Sequence, residues 1–368
     1  MASLDRFLVP PAHHLPLLPH LCVVPALLAV ATAVALFVHS DVNAALLWSQ
    51  CHARARLPLL TGSIPVVGTP LCFLLSFFKE ALDSSRSRAV MGVVLAYVGA
   101  LLTVSTLEAA RRCHRRAIAV IRRPTGWWLL FNLIGGAFVW QLVVVPAFMH
   151  RAKAWFAIAG AEDADDDADL TVPDAEAVAI PVAVALGFYL PAALMLAFHS
   201  PATIGVWLFF PVYVSVIRHA LRWSLERSGR FERAAEASEP ATVRVESRHG
   251  RAAAVYGLPI LCAVVAHVFA LVNLTTGGDD RKEMTRSTIT FLEVDTQFVA
   301  LTVLYWVFVE VGWRAPLAMV CAGVVLGPGA GLCLGWLYRE KLLQAALDGR
   351  DGEGVEDEAA DERTRLLP

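Results

Sequence analysis

Acidic side chains inside long apolar stretches are the residues in this sequence most able to do chemistry. The segment Phe291–Phe298 carries Glu293 and Asp295, and Glu310 lies near the far end of the same apolar stretch, which covers about 289–311. A charged group in a membrane-length helix is costly, so it marks a functional site by default. On a helix Glu293 and Asp295 point about 200° apart, so at most one of them is expected to enter a given cavity. The alternative is that both acids lie at the headgroup level and are solvated.

Asp295 is the stronger candidate of the two, because it shares a helical face with Thr302 and Trp306. A desolvated carboxyl favours its neutral form and can donate a proton. Asp295→Asn is therefore expected to abolish a proton-initiated reaction while leaving the protein level intact.

Glu108 is the second candidate acid, near the end of another apolar stretch, on a face shared with Tyr97. Pairing with Arg111 or Arg112, three or four residues further on, explains Glu108 equally well. Gln141, deep in a third stretch, either hydrogen-bonds a neighbouring helix or lines a cavity.

Aromatic side chains within the apolar stretches are candidate pocket walls, although core packing alone also explains them. Aromatic faces stabilise cations, so an acid beside such rings suits the cyclisation of a carbocation. The predicted substrate-binding residues are Tyr97, Trp140, Gln141, Trp207 and Trp306.

Metal chemistry is not expected. Aspartate motifs resembling those of soluble terpene cyclases occur within Asp163–Asp169, where the low-complexity Asp/Ala composition produces such matches by chance. A second motif, Asp279–Glu283, precedes the stretch that holds Asp295, and a Mg²⁺–diphosphate site there is the weaker alternative. We therefore predict neither a metal nor a cofactor.

The elements that must position these residues are membrane-spanning helices. The 368-residue chain is 57% hydrophobic and only 17% charged, against about a quarter charged in soluble domains. Its apolar runs have the length that crosses a bilayer as a helix. The prediction is an all-α polytopic bundle of eight or nine spans (residues 1–338) and a charged, disordered tail (339–368). The spans lie near 19–39, 57–78, 89–110, 126–149, 177–198, 202–218, 252–274, 289–311 and 315–337.

The charge distribution conflicts with a simple nine-span order. The two most basic segments, Arg111–Arg123 and Arg218–Arg251, are separated by three predicted spans, which places them on opposite sides of the membrane. The positive-inside rule requires both in the cytoplasm. Either one intervening span is re-entrant, with 202–218 and its Pro211 as the candidate, or the rule fails for one segment. Neither basic segment has the interleaved aromatics of a nucleic-acid site, and no disulfide framework is expected.

Short motifs along the chain carry a family resemblance. They are Gly68–Cys72, Phe77–Ser84, Glu108–Arg111, Trp140-Gln141, the hairpin from Leu190-Pro191 to Phe210-Pro211, and Phe291–Asp295. Over about 60–315 the chain resembles the membrane-bound terpene cyclases of fungal meroterpenoid biosynthesis, of the ascochlorin and ascofuranone type. Where the family pattern has Gln, this chain has Glu293, which adds a second acid beside Asp295.

The resemblance implies class II chemistry in an endomembrane such as the endoplasmic reticulum. An acid protonates an epoxide or alkene of a farnesyl-type chain, the cation cyclises, and a base removes a proton, without a metal or cofactor. It implies catalytic roles for Asp295, Glu108 and Glu293. The partners would be the lipid bilayer and a lipophilic prenylated small molecule. A small-molecule transporter and a non-catalytic multi-span protein of the same pathway are the alternatives.

Overall fold

The protein was analysed as a computed structural model, which describes residues 19–53, 65–114, 117–158, 170–228, 242–243, 245, 249–276 and 278–345. The aspartate-rich segment 163–169 and the tail beyond 345 lie outside these residues. Three π-helical turns occur, at Pro19–Val23, Trp140–Val144 and Ala185–Tyr189. The helices are α1 (Val24–His39), α2 (Ala44–Ala53), α3 (Pro65–Ala81), α4 (Ser85–Ala110), α5 (Ala119–Arg122), α6 (Thr125–Ile134), α7 (Gly136–Val139), α8 (Val145–Ile158), α9 (Asp174–Val184), α10 (Leu190–Phe198), α11 (Pro201–Leu208), α12 (Phe210–Arg227), α13 (His249–Thr276), α14 (Glu283–Val311), α15 (Arg314–Leu326) and α16 (328–345).

The all-α class is confirmed, and the described chain has five helices long and apolar enough to cross a membrane. A sixth span results if the pair α11 and α12, bent by 55° at Phe209, is counted as one. A two-stranded ribbon, β1 (Val172–Pro173) with β2 (Thr242–Val243), is the described β-structure. The chain is therefore a membrane protein by the length and composition of its helices.

The predicted count of eight or nine spans is not confirmed, because two of the predicted spans are broken at glycines. Gly135 (φ 101°) separates α6 from α7, and Gly327 (φ 95°) separates α15 from α16. These left-handed conformations end a helix and are readily adopted by glycine alone. The predicted span 57–78 is described only from Pro65, as the 17-residue α3.

Contacts between helix ends sort the chain onto two faces. We call one of them the basic face. There Arg218 of α12 pairs with Glu176 in the first turn of α9, and Arg251 at the start of α13 pairs with Asp174 of α9. At the other, the opposite face, the Asp280 carboxylate accepts a hydrogen bond from the Ser85 amide at 2.7 Å, where α13 ends and α4 begins.

The segment 125–158 enters and leaves at the basic face. It follows the basic residues that end α4, descends as α6, turns at Gly135, and returns as α7 and α8. Arg151 of α8 then donates from Nε to the Cys113 carbonyl at 3.1 Å, and Arg111 donates to the Leu170 carbonyl at 2.7 Å. Both ends of 125–158 thus lie at the basic face, and both basic segments share that face. The 202–218 segment, favoured as irregular on its proline, is itself bent by 55° at Phe209, as a broken span or a re-entrant loop would be.

Two further segments also return to the face they left. Between Ser40, whose carbonyl binds Ser287 of α14, and Glu80, which accepts from Thr285, the chain starts and ends at the opposite face. The pair α15 and α16 leaves the basic face and returns there through Arg339. Six crossings are the upper count for the described helices, and the positive-inside rule predicts that the basic face is cytosolic.

The structure also shows a feature that the cysteine spacing did not predict. Cys72, buried in α3, is disulfide-bonded. Disulfides persist in oxidising compartments, which agrees with an opposite face turned away from the cytosol, because α3 ends there.

Six crossings predict that both chain ends lie on the same side of the membrane. Reporters fused to the N and C termini should report the same compartment, together with a tag inserted after Ser228. A tag inserted after Gly278 is the control and should report the other compartment. Termini on opposite sides, as an odd number of spans requires, would contradict the re-entrant assignment.

Candidate functional site

A buried group of five charged side chains lies where α4, α14 and α16 meet at the basic face. We call it the ionic cluster; its members are Glu108, Arg111, Glu310, Arg339 and Glu340. Arg111 Nε lies 2.7 Å from Glu108 Oε1, and its Nη2 lies 3.2 Å from Glu340 Oε2. Arg339 donates from Nε to Glu310 Oε2 at 2.7 Å. Breaking such a buried network by removing one partner is strongly destabilising.

Two tryptophans connect the ionic cluster to the apolar core. Trp306 Nε1 donates to Glu310 at 2.6 Å, and Trp336 Nε1 donates to Glu108 at 3.2 Å. The Arg339 guanidinium stands 4.4 Å from the centroid of the Trp336 ring. Glu310 and Glu108 therefore each bind a guanidinium group and an indole N–H.

The rings continue away from the cluster as a series of neighbours. Ring centroids are separated by 4.9 Å between Trp336 and Trp306, 6.4 Å between Trp306 and Trp140, and 5.8 Å between Trp140 and Trp128. We call these four residues the aromatic row. Phe148 stacks on Trp306 at 4.6 Å. The predicted residues Trp140 and Trp306 are thus brought together with Glu108.

Phe148 lines two small cavities along this row. One, about 10 Å³, lies against Trp128 and Trp140, and the other, about 30 Å³, is lined by Glu108, Glu310 and other residues. Volumes of this size hold one or two water molecules. Neither cavity has room for a larger molecule beside the acids.

Two residues beside the ionic cluster are held in their neutral forms. His114 bonds the Glu108 carbonyl through Nδ1 at 2.7 Å, and desolvation by burial lowers the pKa of its imidazole. Burial, reinforced by the Glu108 charge, raises the pKa of the Cys113 thiol to about 12. Cys113 is thus no thiolate nucleophile at neutral pH.

Asp295 lies at the helix break of the re-entrant segment. Its two carboxylate oxygens accept the amide N–H groups of Gly136 at 2.9 Å and Ala137 at 3.0 Å, the first residues of α7. Asp295 therefore caps a helix whose first residues, Gly136 and Ala137, are buried inside the protein. Thr302 and Trp306 are buried on the same side of α14, as expected. The catalytic role of Asp295 stays a prediction.

The remaining predicted site residues are dispersed. Glu293 is partly buried on another side of α14. Gln141 donates to Thr32 of α1 at 2.8 Å, an interhelical hydrogen bond. Trp207 packs edge-on against Phe78 at 5.1 Å. Tyr97 lines a separate apolar cavity of about 280 Å³ between α4, α14 and α15.

The aspartates of the Asp279–Glu283 motif are engaged with neighbouring protein groups. Asp279 pairs with Arg281 at 2.8 Å and Arg286 at 3.0 Å, and the hydrogen bond from Arg281 keeps the pKa of Asp279 below its usual value. Asp280 accepts the amides that open α4. Both side chains thus tie together the loops of the opposite face.

The largest of the cavities described is about 1080 Å³ and lies at the basic face, between the end of α4, the start of α6, and α12. We call it the basic cavity. Its wall includes Leu102, Trp128 and Val214. Its arginines are Arg112, Arg122, Arg123, Arg218 and Arg222. Trp128 belongs to both this wall and the aromatic row.

Sequence reasoning missed most of this arrangement. It placed Arg339 and Glu340 in one short amphipathic turn at the start of a charged tail, whereas α16 runs through residue 345 and buries both side chains. The signal was weak, because a charged Arg-Glu pair after an apolar run usually marks the aqueous end of a span. The basic cavity was missed because its arginines come from segments expected on opposite sides.

Comparison with known proteins gives one match. The family model for the CtvD domain matches residues 22–277. No curated protein and no solved structure gives a significant match. The basic cavity, whose lining residues run from Leu102 to Glu226, falls inside the matched segment, as does Glu108. The match covers more than half of the sequence, and the chain therefore belongs to the CtvD domain family.

Proposed function

We propose that this protein is a multi-pass enzyme of an endomembrane such as the endoplasmic reticulum, in a secondary-metabolite pathway. Its reaction is the cyclisation of a lipophilic prenylated substrate, started by protonation of an epoxide or alkene. Membership of the CtvD family supports a role in such a pathway. The helices long enough to span a membrane support a site within the bilayer.

The observation that carries the cyclase proposal is the aromatic row ending on two buried carboxyl groups. Trp306 and Trp336 bind Glu310 and Glu108 directly. Ring faces attract cations, and most strongly where water is excluded. A prenyl chain lying along the row would place its far end at the acids and its developing cations against the indoles.

Glu310 is the proposed proton donor. The three carboxyl groups of the ionic cluster share two guanidinium groups. One carboxyl can therefore hold a proton without leaving a guanidinium unpaired. Glu108 faces both Arg111 and Arg339, whereas Glu310 pairs with Arg339 alone. The anion is thus stabilised more at Glu108, which leaves the proton on Glu310.

The reaction balances without an added reagent, because the proton that starts it is recovered at its end. Glu310 gives its proton to the epoxide oxygen, the C–O bond breaks, and the alkene π electrons form the new C–C bond. The resulting carbocation loses a proton to the Glu310 carboxylate. This restores the acid and gives a neutral cyclic alcohol, an isomer of the substrate.

Incubation of microsomes containing the protein with an epoxyfarnesyl phenol tests the proposal. We expect conversion to a cyclic isomer of unchanged mass that EDTA does not affect. Microsomes that contain a Glu310→Gln variant at equal level are the control. Recovery of unchanged substrate from the wild-type sample, at normal protein level, would count against a cyclase of this substrate class.

A further inference from the structure

The basic cavity has no role in the proposed proton transfer, but its size and its lining are those of a ligand-binding site. Its volume of about 1080 Å³ is at the upper end of the range for small-molecule pockets. It opens at the basic face. Its lining falls entirely within the segment that matches the family model.

The charge of the lining is strongly unbalanced. Five arginines and two acids, Glu176 and Glu226, are among the lining residues, and two of the arginines, Arg112 and Arg122, also interact with other groups of the protein. Arg123 is exposed at the cavity surface. Guanidinium groups bind carboxylate, phenolate and phosphate oxygens in a fixed, forked geometry. An excess of this kind favours an anionic ligand.

Two of the arginines are held in place by a buried acid. Glu176 accepts from Arg218 Nε at 2.7 Å and from Arg222 Nη1 at 3.1 Å, with only 4% of its side chain exposed. Arg222 Nε is buried without a hydrogen-bond partner, and its nearest carboxylate, Glu226, lies at 3.6 Å. A buried N–H group without a hydrogen-bond acceptor is unfavourable. An anionic ligand in the cavity would supply the missing acceptor.

The rest of the wall is apolar. Leu102, Pro211 and Val214 line the cavity together with the ring of Trp128. Trp128 is also the outer member of the aromatic row, 5.8 Å from Trp140. A ligand with an anionic head at the arginines can therefore lay its tail on this apolar wall, which includes Trp128 at the outer end of the aromatic row.

We propose that the basic cavity binds the anionic head of an amphiphile. Resting on the proposed function, this ligand is the substrate itself, a prenylated aromatic acid whose carboxylate is held by the arginines. The head then fixes the depth of the prenyl chain, so that its far end reaches Glu310. An anionic phospholipid presents the same chemistry and is the competing source of the head.

Direct binding tests this without requiring turnover. The purified protein in phosphatidylcholine nanodiscs is titrated with a farnesyl-substituted hydroxybenzoic acid and with its methyl ester, and binding is followed by calorimetry. The acid should bind about tenfold to a hundredfold more tightly than the ester. The preference should weaken as salt is raised. Phosphatidylglycerol added to the nanodiscs should not displace the acid.

Arginine variants locate the site. Arg222→Gln and Arg123→Gln should each lower the affinity for the acid about tenfold and leave that for the ester unchanged. Arg222→Lys should restore part of the loss. Arg227→Gln is the matched control, because Arg227 lies on α12 against Trp223 and does not line the cavity. Thermal stability in the same nanodiscs checks that each variant is folded.

The outcomes separate the two proposals. Equal binding of acid and ester, unchanged by the cavity variants, overturns the anionic site even if the protein cyclises a neutral substrate. Displacement of the acid by phosphatidylglycerol overturns the substrate assignment and identifies a lipid headgroup. Arginine-dependent binding of the acid without any cyclic product upholds this inference and counts against the cyclase.

Discussion

Glu310→Gln is expected to lower the rate of cyclisation by about 10²–10⁴-fold, the usual contribution of a general acid. Glutamine keeps the size of the side chain and one oxygen that accepts from Trp306 or Arg339, but it has no proton to transfer. The rate should be measured in microsomes as product formed per amount of protein. Glu108→Gln should also be severe, because it removes the anion that two guanidinium groups face.

Glu340→Gln is the matched control for this prediction. Glu340 is buried in the same ionic cluster and pairs with the same two arginines, but it does not line the 30 Å³ cavity that Glu310 and Glu108 share. Its replacement removes one partner of the arginines but not the proposed donor, so it should lower the rate less than Glu310→Gln does. If Glu340→Gln is as inactive as Glu310→Gln, the loss reflects the integrity of the cluster. An active Glu310→Gln enzyme would place the proton donor elsewhere, with Asp295 next.

Asp295→Ala is expected to produce the largest loss of stability. It leaves the amides of Gly136 and Ala137 buried without acceptors, at a cost of about 1–3 kcal/mol each. Helix α7 begins at this point, and Gly135 before it already has a left-handed conformation. The melting temperature of the detergent-solubilised protein should fall by at least about 5 °C.

The Asp295→Asn variant distinguishes a helix-capping role of Asp295 from a proton-donor role only if the stability of the protein is measured together with the rate. An asparagine oxygen replaces one acceptor, while its NH₂ group faces the other backbone N–H, so a smaller fall in melting temperature is expected. Glu293→Gln, on a partly exposed side of the same helix, should change neither quantity. A fully stable Asp295→Asn protein without activity would support Asp295 as the proton donor, whereas a destabilised protein with residual activity supports the cap.

The residues that share one face of a helix were predictable from the sequence, because they depend on that helix alone. The shared burial of Asp295, Thr302 and Trp306, and the different side taken by Glu293, follow from the helical repeat alone. The pairing of Glu108 with Arg111 at 2.7 Å was one of two local alternatives. What the acids meet across the bundle was not predictable, because the partners of Glu310 and Asp295 lie on α16 and α7.

The number of membrane crossings could not be predicted from the apolar runs, because it depends on single residues that hardly change the hydropathy of a run. A run that is broken at Gly135 has the same hydropathy as one that crosses, and only the positive φ of that glycine turns the chain back. The charge conflict between Arg111–Arg123 and Arg218–Arg251 did indicate an irregular element. It could not say which one, because the 202–218 segment is bent at Phe209 and the 126–149 run is broken at Gly135.

By itself the sequence determined that this is an all-α membrane protein, which acids lie in apolar surroundings, and which of them share a helical face. These properties follow from composition and from the 3.6-residue repeat, which are local. Only the tertiary structure decided that Asp295 caps a helix, that Arg339 and Glu340 join a buried cluster, and that two distant basic segments form one cavity. Those outcomes depend on where re-entrant helices end, and buried amides and charges must find partners there because neither lipid nor water can supply them.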